Sequence, residues 1–356
     1  MSTTLTATQL PPPVTGPSAW RGSDLQDREA TWVDQLEPAF VTALVETVQR
    51  FLDRGQPIST MTATDMGHPL LRARAADWCR TLLHGRGFVL ARGLPTADWD
   101  MQLTAAAWYG LGLLLGTPRS QNAQGHLLGH VRDLGLSTDD PKVRIYQTTE
   151  RQTFHTDSCD VVGLLCLKTA RTGGESAIVS SMRIYNEMHA RCPELLACLF
   201  NSFPTDRRGE IPPGKKAWFD IPVFNHHRGH LSAIYARRYI TSSARLDGPR
   251  KLTTREVEAL DMFDELANDP ALHLKMVFRP GDIQLVHNHT ILHDRLAYRD
   301  WPDPAEKRHL LRLWLAIPGA RPLPEVYAER YGSITIGDRG GIVVDGTRLV
   351  VPLEPV

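Results

Sequence analysis

His155 and Asp157, in the run Phe154-His155-Thr156-Asp157, set an imidazole and a carboxylate two residues apart. On an extended chain, residues i and i+2 project to the same face, so both side chains could reach one metal ion. The flanking runs Arg144–Thr149 and Val161–Leu167 are β-branched and apolar without a helical period, which predicts a strand on each side. A second imidazole would complete the two-His-one-carboxylate set that holds non-haem iron and leaves the opposite positions open for substrate and oxygen. The downstream run His287-Asn288-His289-Thr290-Ile291-Leu292-His293 supplies three histidines in seven residues. They would share a face in a regular strand, but Asn288 and Asp294 signal a break nearby. Residue chemistry alone does not choose among the three.

Further on, Arg308-His309-Leu310-Leu311-Arg312-Leu313-Trp314-Leu315 has the apolar character of a core strand, with two arginines on one face. A buried guanidinium needs an anionic partner, and its planar fork suits bidentate capture of a carboxylate. An internal salt bridge to a core acid is the simpler alternative.

The ordered set His155-x-Asp157, then Gly281-Asp282 leading through Asn288 to His293, then paired arginines, resembles the TauD/TfdA family of Fe(II)- and 2-oxoglutarate-dependent dioxygenases. The resemblance covers roughly Phe88 to Ala316. It implies that His293 is the third ligand, 293 − 155 = 138 residues after the first. It implies that Arg312 binds the distal carboxylate of 2-oxoglutarate, with Arg308 nearer the co-substrate's metal-binding end. Gly173-Gly174-Glu175-Ser176 is similar to the family's Gly-Gly-Asp-Thr segment, so Ser176 would hydrogen-bond that same carboxylate. Glutamate for aspartate and serine for threonine are the departures. The implied fold is α+β: a double-stranded β-helix (jelly-roll, clavaminate synthase-like) core with flanking helices. The implied activity is oxidation of an unactivated C–H bond of a small polar substrate, an amino acid or other small carboxylic acid. Hydroxylation, desaturation or cyclisation would be the outcome, with release of succinate and CO2. An aspartate at 157, where halogenating relatives carry glycine or alanine, argues against chloride ligation. A non-catalytic jelly-roll metal-binding protein and a zinc hydrolase are the competing readings. Neither gives the paired arginines and Ser176 a purpose.

Positioning these residues requires a sizeable framework. Apolar spacing predicts helices over 36–52, 69–83, 99–115, 184–200 and 254–267. Strands are expected at 88–92, 274–278, 283–286 and 310–316, with a hairpin pairing 223–225 with 231–235. Residues 1 to about 20 read as a disordered tail, because Pro11-Pro12-Pro13 can join neither helix nor central strand. One dioxygenase domain over 21–356 would follow, with a helical layer near 30–118 and the jelly roll near 140–320. Lys plus Arg and Asp plus Glu are each 40, so no overall field attracts nucleic acid or an anionic membrane. Five cysteines without a CxxC pair read as reduced thiols, and Met1 to Pro17 has no basic stretch before an apolar run. A cytosolic enzyme is expected, partnered by its substrate and O2; a homo-oligomer is compatible with the sequence. Substrate contacts are expected from loops at the barrel mouth, with Gln121, Asn122, Gln147, Arg151 and Arg207 as candidates.

Overall fold

A computed structural model describes residues 5–137, 143–342, 344 and 346–355. In chain order its main elements are β1 (Val33–Gln35), α1 (Pro38–Leu52), α2 (Pro69–His84), β2 (Phe88–Arg92), α3 (Met101–Leu115), β3 (Thr117–Pro118), β4 (Gly129–Val131), β5 (Gln152–His155), β6 (Val161–Lys168), β7 (Thr172–Gly173) and β8 (Ser176–Ser180). There follow α4 (Ser181–Arg191), α5 (Pro193–Cys198), β9 (Ser202–Asp206), β10 (Trp218–Pro222), β11 (Phe224–His227), β12 (His230–Ala233), α6 (Arg237–Ser242) and α7 (Thr254–Asn268). The chain ends with β13 (His273–Met276), β14 (Ile283–His287), β15 (Ile291–Arg295), β16 (Tyr298–Arg299), β17 (His309–Ala316) and α8 (Ala328–Tyr331).

Two sheets form the jelly-roll core. The larger runs β1-β2-β14-β6-β17-β3, with β4 also on β17, and the smaller runs β13-β8-β15-β5. Period-two alternation sorts the side chains of β17 into two interiors. Leu311, Leu313 and Leu315 pack with α1, α2 and α3 on one side of the large sheet. Leu310 and Trp314 point the other way, with Ile178 and Ile291 of the small sheet. Arg308 and Arg312 therefore open into the space between the sheets. On the far side of the small sheet, Ala177, Val179 and Leu292 pack under α4, α5 and α7. No helix among the described residues is long and apolar enough to cross a membrane.

The turn into β14 is fixed by the Gly281-Asp282 pair. Gly281 adopts φ +87°, and a Cβ there would lie 1.9 Å from the Leu94 carbonyl oxygen. The buried Asp282 accepts from the backbone N–H of Arg279 and makes a fork with Arg92, at 2.9 and 2.8 Å.

The structure departs from expectation in three places. Ile145–Gln147 is a 3-10 turn, not part of a strand over 144–149. The Gln147 Oε1 accepts from the Arg144 N–H and the Thr148 hydroxyl bonds the Ile145 carbonyl, so side chains take up backbone groups that a ladder would use. The helix expected over 184–200 starts earlier, capped by the Ser180 side chain, and Pro193 divides it in two. The expected tail is laid along the domain instead of free. Asn186 exchanges two 2.8 Å hydrogen bonds with the Val14 backbone, Arg183 donates to the Ala19 carbonyl, and Ala19 and Trp20 are buried. The proline run cannot join a sheet, but side chains of α4 satisfy its backbone. Residues 1–4 of that tail lie outside the described residues.

Candidate active site

His155 ends β5 and His293 lies in the middle of β15, directly opposite it in the antiparallel pairing. Cross-strand partners share a face and a short separation, and the two ring centroids are 4.1 Å apart. Asp157 sits just past the end of β5. Its Oδ1 is 3.7 Å from His155 Nε2 and its Oδ2 is 3.8 Å from His293 Nε2. One ligand atom from each of the three residues lies within 4.8 Å of the others, close enough for a single ion. His155 Nδ1 lies 2.9 Å from the Thr153 carbonyl, which can only accept, so that nitrogen carries the proton and Nε2 keeps its lone pair. Burial, and then the neighbouring His155, push His293 down to about 3, which keeps its imidazole neutral. Burial opposes charge on Asp157, but Arg312 first, together with the 2.8 Å bond from Trp314 Nε1, helps to hold the carboxyl below its usual range.

His287 and His289 face elsewhere. His287 Nδ1 meets the Thr290 hydroxyl at 2.9 Å, and His289 Nε2 lies 2.9 Å from the Asp160 carboxylate, which Arg339 also holds. Asn288 between them clamps the carboxylate-bearing loop. Its Oδ1 accepts from the Asp157 N–H at 2.9 Å, and its amide donates to the carbonyls of Asp157 and Cys159.

Behind the triad, between the sheets, is a small cavity of about 40 Å³ lined by His155, His293, Ser176, Arg308 and Arg312. The two arginines lie in the opposite order from that expected. Arg312 Nη1 is 3.4 Å from Asp157 Oδ2, so Arg312 stands at the metal end. Arg308 lies towards Gly174, 3.5 Å from its carbonyl, and over the Tyr298 ring. The reversal follows from the course of β17, which approaches Asp157 as its number rises. Arg308 Nη1 is buried without a hydrogen-bond partner, and among the described residues no carboxylate pairs with this guanidinium. Such a group fits an anionic ligand in the cavity. Ser176 completes that end, its hydroxyl bonded to the Gln284 amide at 3.1 Å.

A family model described as taurine catabolism dioxygenase TauD, TfdA family, matches residues 56–314. The chain belongs to the TauD/TfdA family. FR-33289 synthase of Streptomyces rubellomurinus is 35% identical over 336 residues, 91% of this chain and 96% of that protein. A taurine hydroxylase-like protein of Stachybotrys chartarum is 27% identical over 309 residues, covering 83% and 77%. Among solved structures, an asparagine oxygenase with Fe(II), 3-hydroxyasparagine and succinate superposes with a TM-score of 0.61 at 16% identity, covering 80% of this chain and 93% of that one. The non-haem iron oxygenase OrfP, with iron and α-ketoglutaric acid, gives 0.60 at 15% over the same shares. This TauD/TfdA member is thus a jelly-roll, non-haem iron dioxygenase whose cofactors are Fe(II) and 2-oxoglutarate.

In this TauD/TfdA chain a second cavity, about 140 Å³, opens in front of His155 and Asp157. Of the five expected substrate residues, Gln121 and Asn122 line it and the other three do not. Gln121 is committed internally, accepting from Arg312 Nε at 2.7 Å and donating to the Arg312 and Leu127 carbonyls. Asn122 closes its own loop, accepting from the N–H groups of Gln124 and His126. Gln147 is spent on the 3-10 turn. Arg151 pairs with Asp294 at 2.7 Å, and Arg207 is buried on Glu329 at 3.0 Å. The cavity is instead walled by residues the sequence did not mark: Arg144, Glu210, Tyr239 and Arg330, with Phe219, Ile221, Val223 and Ile234.

Proposed function

We propose that His155, Asp157 and His293 hold Fe(II), that Arg308 and Ser176 take the distal carboxylate of 2-oxoglutarate, and that Arg312 stands at its metal-binding end. The enzyme would oxidise a C–H bond of a small polar substrate, an amino acid or other small carboxylic acid, lodged in the larger cavity. The observation that carries this reading is the buried Arg308 guanidinium without an acid, in one cavity with both metal-facing histidines. Bound together, iron and 2-oxoglutarate supply an oxidant from O2, with loss of CO2 and formation of succinate. The chain's own work is positional. Thr153 fixes the His155 tautomer, Asn288 fixes the backbone of Asp157, and Trp314 with Arg312 fixes its carboxylate. The apolar wall around Phe219 and Ile221 keeps water from the reacting carbon. Relatives support the substrate class in outline: solved neighbours hold hydroxylated asparagine and hydroxylated arginine.

The test is anaerobic addition of Fe(II) and 2-oxoglutarate. A weak visible charge-transfer band is expected from the wild type and not from His293→Ala or Asp157→Ala. With O2, a screen of small acids should give substrate-stimulated succinate, with product masses separating oxygen gain from hydrogen loss. A wild-type protein that forms no band and consumes no oxygen with iron and any acid would sink the proposal.

A further inference from the structure

The larger cavity carries an excess of positive charge that the iron site does not use. Arg144 precedes the 3-10 turn, Glu210 lies in the loop between β9 and β10, and Arg330 lies on α8. These distant segments converge on one carboxylate. Glu210 Oε1 meets Arg144 Nη2, and its Oε2 lies 3.7 Å from Arg330 Nη1. The guanidinium of Arg144 also reaches the Tyr239 hydroxyl at 3.3 Å, and Arg330 Nε bonds Ser158 Oγ, one residue from Asp157. The three side chains are only 18, 15 and 13% exposed for Arg144, Glu210 and Arg330 respectively. Two cations on one anion leave a net charge in a largely desolvated wall.

The balance extends along the described lining, where Arg144, Arg312 and Arg330 face two acids, Asp157 and Glu210. Arg237 is neutralised from outside by Asp261 and Asp264, at 2.7 and 2.9 Å. A bound Fe(II) and a doubly ionised 2-oxoglutarate cancel each other, so they leave this excess standing. Partly buried cations are stabilised when an anion completes them, and paired guanidiniums suit an oxyanion above other ligands.

We propose that Arg144 and Arg330, oriented by Glu210, form the subsite for an oxyanion head group on the primary substrate. That head group is a carboxylate, sulfonate or phosphonate carried on an aliphatic body that packs against Phe219, Ile221 and Val223. Molecules of the same shape whose head group is neutral or cationic are therefore excluded from this subsite. This inference rests on the function proposed above and deepens it by naming the subsite and the charge.

The test uses the full chain loaded with Fe(II) and 2-oxoglutarate without oxygen. Calorimetric titration compares four-carbon-tailed probes: pentanoate, butane-1-sulfonate, butylphosphonate, neutral pentanamide and cationic pentylamine. At least one oxyanion should bind about tenfold or more tightly than pentanamide, and pentylamine more weakly still. Which oxyanion binds best separates a trigonal from a tetrahedral head group. In folded Arg144→Gln and Arg330→Gln, checked by circular dichroism, the preferred probe should lose about tenfold in affinity, with partial recovery in Arg330→Lys. Oxyanions that bind no better than pentanamide, or folded glutamine variants with wild-type affinity, overturn the subsite. If the wild type forms a normal iron–2-oxoglutarate band but shows no oxyanion preference, this inference alone fails. If the band itself is missing, the metal-site reading fails and takes this one with it.

Discussion

Arg308 and Arg312 are four residues apart on one face, yet they stand in different surroundings, and their substitution should separate two kinds of loss. Arg308 has neither an acid nor a ligand for Nη1 among the described residues. Arg308→Gln should weaken 2-oxoglutarate binding by roughly 10- to 100-fold, the equivalent of about 1.5–3 kcal/mol for a charge-assisted bond. Iron binding should be nearly unchanged, as read by titration of the visible band against an independent metal titration. Arg312 touches both Asp157 and Gln121, so Arg312→Gln should disturb iron and 2-oxoglutarate together. Asn288→Ala frees the loop that carries Asp157, and iron affinity should fall about 10- to 100-fold with the fold retained. The triad was legible because a two-residue spacing on a strand has a fixed geometric meaning. The choice of His293 over its neighbours needed a resemblance, and the cross-strand register with His155 now gives it a physical reason. The order of the arginines was not legible: alternation says that they share a face, not which end of β17 runs towards the metal. Arg144, Glu210 and Arg330 were invisible because they belong to no period and meet only through the fold.

At the scale of elements, long helices and apolar strands were readable because burial imposes a period on them. The segment 144–149 was misread because its β-branched and aromatic residues are held in a turn by local side-chain bonds. Short connections also carry chemistry. Gly174 precedes β8 at φ +76°, and a Cβ there would lie 3.2 Å from Arg308 Nε. Gly174→Ala should strain this turn by about 1 kcal/mol and displace the guanidinium. The expected result is a several-fold higher Michaelis constant for 2-oxoglutarate with the fold intact; an unchanged constant would show that Arg308 tolerates the shift. The β4–β17 edge carries a second device. His130 Nε2 donates to the Pro352 carbonyl at 3.0 Å, and in the neutral pair its Nδ1 accepts the 2.8 Å bond from His309 Nε2–H. Protons on both facing nitrogens would break that bond, and burial opposes a charge on either ring. Burial, then His130, push His309 down to about 3, and burial also lowers His130. Below pH about 6.5 the unfolded chain takes up these protons before the folded one, so stability falls as pH drops, by about 1.4 kcal/mol per unit for each ring until its folded value is reached. Urea midpoints should fall between pH 7 and pH 5, and the slope should flatten in His309→Leu.

Across the whole molecule, the site lies between two sheets, each braced by helices on its outer face, so its precision depends on how firmly those sheets are held together. The N-terminal segment contributes to that bracing. Trp20 packs edge-on against Phe88 of β2, with ring centroids 5.4 Å apart, and its Nε1 donates to the Arg86 carbonyl at 2.9 Å. It belongs to the cluster that joins β2, β6 and β14 of the large sheet to β8, β13 and β15 of the small one. A proline-rich start without a helical or strand period reads as a disordered tail, because its order comes from partners 66 to 172 residues away. Trp20→Ala should cost about 3–5 kcal/mol through the cavity it leaves, and removal of residues 1–20 should cost at least as much. Both would be read as a lower urea midpoint. Trp20 touches neither the triad nor the arginines, so the variant should still bind Fe(II) and 2-oxoglutarate under conditions where it stays folded. Loss of stability with binding preserved marks the segment as a brace. Unchanged stability would mean that the contacts of Trp20 add nothing to the joint between the sheets.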